Sequence, residues 1–155
     1  GGHTAYACPL SENIKLSDYV IEFPNQLSLN ASTIGASGLL SLRKRKIESK
    51  ETILPLSKTL FNEDALIFSD IACDWIRLRK KNEKKGIVVR FKDYPHLALW
   101  SKPCADYVCI EPWLGIADSE TTNQKIEEKE GIIALKAGNV FNASYSIEIE
   151  KGHLV

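Results

Sequence analysis

The stretch "VFNASYSIEIE" sets Phe141, Ala143, Tyr145, Ile147 and Ile149 against Asn142, Ser144, Ser146, Glu148 and Glu150. Apolar and polar residues that trade places at every second position sort onto the two faces of a strand, and a helix cannot use that pattern. It predicts a half-buried strand of antiparallel type, with core on one side and water on the other. The same period recurs in "DYVIEF", where Tyr19, Ile21 and Phe23 share a face, and in "GIVVRF", where Ile87, Val89 and Phe91 do. Further strands are expected at Gly38–Leu42, Thr52–Pro55, Ala65–Phe68, Cys73–Arg79, His96–Trp100, Tyr107–Glu111 and Ile132–Leu135. The polar "KKNEKKG" following Arg79 closes on Gly86 and suits a hairpin connection. Helical periodicity is weak throughout; "PLSKTLFNED" and "NQKIEEKEG" each hold enough for a single turn. Many short strands between turn signals predict an all-β fold, an antiparallel β-sandwich.

At 155 residues the chain has the usual length of one domain, and its 44% hydrophobic content is enough for a real core. It contains no methionine, not even at position 1. Gly1 therefore reads as an internal residue, and residues 1–155 as either a single domain or a fragment of something longer. Twenty basic residues balance twenty acidic ones, which argues against a nucleic acid or an anionic membrane as partner. The "RKRK" run at Arg43–Lys46 has no interleaved aromatic residue and reads as a solvated strand end. No apolar run approaches the roughly 18 residues of a membrane span, and no signal peptide opens the chain. Cys8, Cys73, Cys104 and Cys109 follow no metal or redox spacing, so reduced thiols and a cytoplasmic location are expected. The two Asn-Ala-Ser triplets, at Asn30 and Asn142, are taken as chance matches to the glycosylation pattern.

"VCIEPWLGIAD" places a carboxylate directly after an apolar run and follows it with Pro112 and Trp113. On a strand Tyr107, Cys109 and Glu111 face one way, and Val108 and Ile110 the other. Glu111 then ends the strand on a partly apolar face, where Pro112 breaks the ladder. Lost hydration there would raise its pKa toward that of a general base. A lysine partner or a loop cap would explain the residue equally well. His3 follows two glycines, which permit close approach of a ligand, although a lone histidine is more often structural. His96 is expected at a rim, and His153 receives no role. Trp100 reads as core packing at least as readily as a pocket wall, Trp113 is the better pocket candidate, and Asp118 reads as a structural cap. Whether Arg77, Arg79 and Arg90 converge on a phosphate stays open.

Three stretches carry a family resemblance. "GGHTAYACPL", "YPHLALWSKPCADYVCIEPWLGIADS" and "KEGIIALKAGNVFNASYSI" are similar to segments of the aldose 1-epimerases, the galactose mutarotases, in their LacX-like branch; "LFNEDALIF" matches more loosely. Thr4 stands where proline is usual, and Tyr6 where phenylalanine is; neither change removes a reactive group. The resemblance implies a β-supersandwich of roughly twice this length, of which this chain is the C-terminal half. It implies that Glu111 is the catalytic base and His3 the acid, and that Asp64 contacts sugar hydroxyls, with Asp70 a poorer match. The family's other active-site histidine and its arginine lie in the N-terminal half, the partner this chain would need. The implied reaction interconverts the α and β anomers of a free hexose and uses neither metal nor other cofactor. A hexose-6-phosphate 1-epimerase and a non-catalytic carbohydrate-binding fragment are the alternatives. For the catalytic readings His3 and Glu111 face one cleft, about 5–8 Å apart, with sugar atoms between them.

Overall fold

The computed structural model describes residues 1–9 and 13–152, so Leu10 of the opening motif and His153 lie outside the described residues. Eleven strands make two sheets. They are β1 (Thr4–Ala7), β2 (Tyr19–Glu22), β3 (Asn30–Ile34), β4 (Leu40–Lys46), β5 (Ile53–Pro55) and β6 (Leu66–Ser69). The rest are β7 (Trp75–Lys80), β8 (Ile87–Arg90), β9 (His96–Trp100), β10 (Tyr107–Trp113) and β11 (Ser146–Ile149). The six-stranded sheet runs β1-β10-β9-β6-β3-β4 and the five-stranded sheet β11-β8-β7-β2-β5, every neighbouring pair antiparallel. The expected antiparallel sandwich is the observed fold, and short 3₁₀ turns at Leu16–Asp18 and Ile126–Glu128 are its helical content among the described residues. No helix among them is long and apolar enough to cross a membrane.

Alternation decides what each face meets. Val108, Ile110, Leu97 and Leu99 point inward from the six-stranded sheet, and Tyr19, Ile21, Ile76 and Leu78 meet them from the other. The outward face of the six-stranded sheet carries a second, smaller cluster that includes Ile67, Ala98, Ile116, Trp100 and Trp113. On the outward face of the five-stranded sheet Arg77 donates two hydrogen bonds to Glu150, at 2.9 and 3.0 Å, and also meets Glu22. Arg79 bonds Glu22 as well, and Arg90 reaches Glu148. Gly86 closes the β7–β8 hairpin where a Cβ would lie 2.1 Å from the Leu78 carbonyl oxygen, so no larger residue fits without moving the backbone.

Several sequence expectations are corrected. Ile132–Leu135 forms no strand, and the alternating C-terminal stretch is strand only at Ser146–Ile149. Of its apolar face only Ala143 and Tyr145 are half-buried, Tyr145 against the core, while Phe141, Ile147 and Ile149 are exposed, as are Ile132, Leu135 and Val140 before it. Alternation states which residues share a face, whereas burial needs a second surface to cover it. Here Tyr145 meets one, through Tyr94 at 5.9 Å between ring centroids, while the exposed residues do not. β1 and β3 went unforeseen because "TAYA" and "NASTI" are built of small and polar residues with weak strand preference.

Candidate functional site

Glu111 lies within β10 rather than at its end, because the strand continues through Pro112 to Trp113. Pro112 does not break the ladder. It pairs with Leu97 on one side, and its carbonyl accepts a hydrogen bond from the Gly2 amide at 3.0 Å on the other. Its missing N–H falls on that second side, just beyond the end of β1, so the only ladder bond forgone is the reciprocal one to the Gly2 carbonyl. Gly2 matters here for a different reason from the one its position before His3 suggests. A Cβ on it would lie 2.7 Å from the Tyr145 hydroxyl, so the glycine lets the chain pass beneath Tyr145 rather than admitting a ligand.

The β1–β10 register pairs Thr4 with Ile110 and Ala5 with Cys109, which brings His3 beside Glu111 on the outward face. Nδ1 of His3 lies 3.1 Å from Oε1 of Glu111. The two side chains do share one locality, but the expected 5–8 Å separation is replaced by direct contact, since adjacent antiparallel strands hold opposed residues side by side. Their surroundings differ sharply: the Glu111 side chain is 3% exposed and that of His3 65%. Burial pushes the Glu111 carboxyl above its ordinary value of 4.5, and the His3 charge and a hydrogen bond with Trp113 draw it partly back. The result is a carboxylate with a raised proton affinity and an imidazole open to solvent.

Three further side chains join this face. Cys109, two positions before Glu111, is buried, and burial together with the Glu111 charge pushes its thiol up to about 11. Trp100 stands opposite Cys109 across the ladder and meets the His3 ring edge-on at 6.4 Å between centroids. It packs against the smaller cluster and, half-buried, also walls an open groove of ≈ 570 Å³ that runs past Ile34, Phe61 and Asp64. Asp64 sits at φ 70° with its carboxylate turned back to accept from the Ala65 amide at 2.7 Å. Trp113 lines a smaller hollow with Gly1, Ile34 and Ile116. Ile34 borders both hollows, and neither is lined by His3 or Glu111.

Other residues fall elsewhere. His96 is not at a rim; it is 4% exposed, and neither ring nitrogen has a hydrogen-bond partner among the described residues. Burial lowers its pKa, against the pull of the Asp70 and Glu130 charges, which favours the neutral ring. Asp118 pairs with Lys129 at 2.9 Å, a structural use. Asp70 takes part through its backbone amide, which donates to the Pro95 carbonyl. Arg77, Arg79 and Arg90 belong to the other sheet, on the far side of the sandwich, where carboxylates already occupy them. All four cysteines are free thiols. Sequence reasoning put Cys109 on the face of Glu111 by its two-residue spacing, but missed that Trp100 joins them, which only the β9–β10 register decides.

No family model matches the chain. Two curated proteins do, the plasmid and chromosomal LacX proteins of Lactococcus lactis subsp. lactis, each 31% identical over 153 residues. The alignment takes in 96% of this chain but 51% of LacX, so the chain spans about half the length of the curated relatives it matches. A solved structure of a galactose mutarotase related enzyme from Lactobacillus acidophilus superposes with a TM-score of 0.84 at 26% identity, covering 96% of this chain and 50% of the other. A galactose mutarotase-like protein from Lactobacillus casei shares the fold, with a TM-score of 0.81 at 21% identity, over 96% of this chain and 52% of its own.

Proposed function

We propose, from the chain's resemblance to the LacX and galactose mutarotase-related proteins, that it carries the acid–base pair of an aldose 1-epimerase, with Glu111 the base and His3 the acid. The observation that supports this most directly is the 3.1 Å contact between a buried carboxylate of raised proton affinity and an exposed imidazole. Glu111 removes the proton from the anomeric hydroxyl of a hexose while His3 protonates the ring oxygen. The ring opens, C1 turns about the C1–C2 bond, and as the ring closes on the other face Glu111 gives its proton to the C1 oxygen while His3 takes one back from the C5 hydroxyl. With Nδ1 engaged by the carboxylate, Nε2 of His3 is the nitrogen free to serve the ring oxygen. Trp113 offers an apolar wall to the sugar, and Asp64 holds its hydroxyls once its carboxylate swings from the Ala65 amide into the groove. A free hexose fits better than a hexose 6-phosphate, because the arginines on β7 and β8 face away from Glu111 and are already paired.

The reading extends to a longer protein. The relatives are about twice as long, and the C-terminal stretch exposes apolar side chains that a further β-layer would cover. In our reading residues 1–155 are the C-terminal half of a mutarotase-like sandwich, and the other half completes the site. Alone, the chain would hold sugar weakly without turning it over, since one wall of the cleft is open. Polarimetry tests both statements, following fresh α-galactose or α-glucose as it relaxes to its equilibrium rotation with the spontaneous rate subtracted. The 155-residue chain should stay near background. In a polypeptide that joins it to a complementary half, Glu111→Gln should cut kcat roughly 10²–10⁴-fold. A variant as fast as its parent would show that Glu111 is not the base.

A further inference from the structure

The outward face of β10 holds a feature that proton transfer alone does not use. Cys109 and Glu111 project from it side by side, and His3 comes to them from the neighbouring chain segment. One nitrogen, one sulfur and one carboxylate oxygen lie within 4.8 Å of one another, and both β10 side chains are buried. We propose that His3, Cys109 and Glu111 form a site for a soft divalent cation of the Zn²⁺ or Cd²⁺ class, and that an ion bound there blocks the acid–base pair.

The donor set suits such an ion: thiolate and imidazole are its preferred ligands, and two anionic donors with one neutral donor cancel its double charge. Bonds of about 2.0–2.3 Å at tetrahedral angles need donors about 3.5 Å apart. His3 and Glu111 already lie 3.1 Å apart, and side-chain rotations that draw Cys109 Sγ toward them complete the set. The ion enters from the solvent side of His3, and the fourth position stays open to water or to a sugar hydroxyl. Binding forms a sulfur–metal bond and releases the Cys109 proton to solvent, with no change of oxidation state. The blocking effect rests on the acid–base reading above, because a metal-bound Glu111 oxygen and His3 nitrogen cannot carry a proton. The binding itself does not rest on it.

The experiment is a Cd²⁺ titration of the 155-residue chain, read by the ultraviolet charge-transfer band of a cadmium-bound thiolate, followed by displacement with Zn²⁺. One equivalent should bind with a band that Cys109→Ser abolishes and that Cys104→Ser, which alters an exposed cysteine, leaves intact. His3→Ala changes a side chain too exposed to disturb folding, and should weaken binding by about tenfold or more. No band, a band that survives Cys109→Ser, or unchanged affinity in His3→Ala would each overturn the site. Because the readout is spectroscopic, its failure leaves the epimerase reading standing, and the reverse holds too.

Discussion

Glu111 is the residue whose setting is most consequential. A carboxylate whose folded pKa is raised binds its proton more readily in the folded chain than in the unfolded one, so its protonated form favours folding. That contribution is complete below its ordinary value of 4.5 and is lost as pH rises through the higher folded value. Glu111→Gln mimics the protonated form, so it should melt at higher temperature than the parent at pH 8, and the gap should close as pH falls below 4.5. Thermal denaturation of both chains across that range checks the sign; a variant less stable at pH 8 would contradict it. The face Glu111 occupies was legible from its spacing to Val108 and Ile110. Its companion was not, because nothing local to "GGHTAYACPL" reports which strand that segment will pair with.

At the scale of elements, the β7–β8 hairpin and its link to β11 hold the five-stranded sheet together. Gly86→Ala would drive a methyl group into the Leu78 carbonyl, and overpacking of this kind costs about 1–3 kcal/mol. Urea denaturation should show that loss as a lower midpoint with an unchanged slope. Glu150 joins three donors, two on Arg77 and the Gly86 amide at 2.7 Å, and these bonds lower its pKa despite partial burial. Its contribution is therefore present above the ordinary carboxylate value and is lost as pH falls through the lower folded one. Glu150→Gln should speed hydrogen exchange in β11 at pH 7 while leaving β9 and β10 unchanged; uniform acceleration would mean that β11 is not held locally. The hairpin was legible in "KKNEKKG", but this carboxylate's partners lie 64 and 73 residues away in sequence.

The whole molecule has one unbalanced side. The six- and five-stranded sheets bury a continuous core between them, yet the segment from Ile126 to Ile149 exposes most of its large apolar residues. Contiguous apolar surface of this sort drives association. Replacing Val140, Phe141 and Ile147 together by Ser, Ser and Thr should reduce dye binding and self-association, measured by fluorescence and light scattering. The melting temperature should hardly change, because these side chains bury little in the chain as it stands. Equal association in parent and variant would mean that this surface is not the sticky one.

The sequence by itself determined the class of fold and the two faces of nearly every long strand, because alternation is a property of neighbouring residues and needs no knowledge of the rest. It placed Glu111 opposite the core-facing Val108 and Ile110 for the same reason. Only the tertiary structure decided that His3 touches Glu111, that Pro112 sits inside a strand, and that His96 is buried, since each depends on which strands pair and in what register. It also decided that the best alternating stretch of all would stay largely exposed, with only Tyr145 reaching the core: a pattern can prepare a face for burial, but burial takes a second surface.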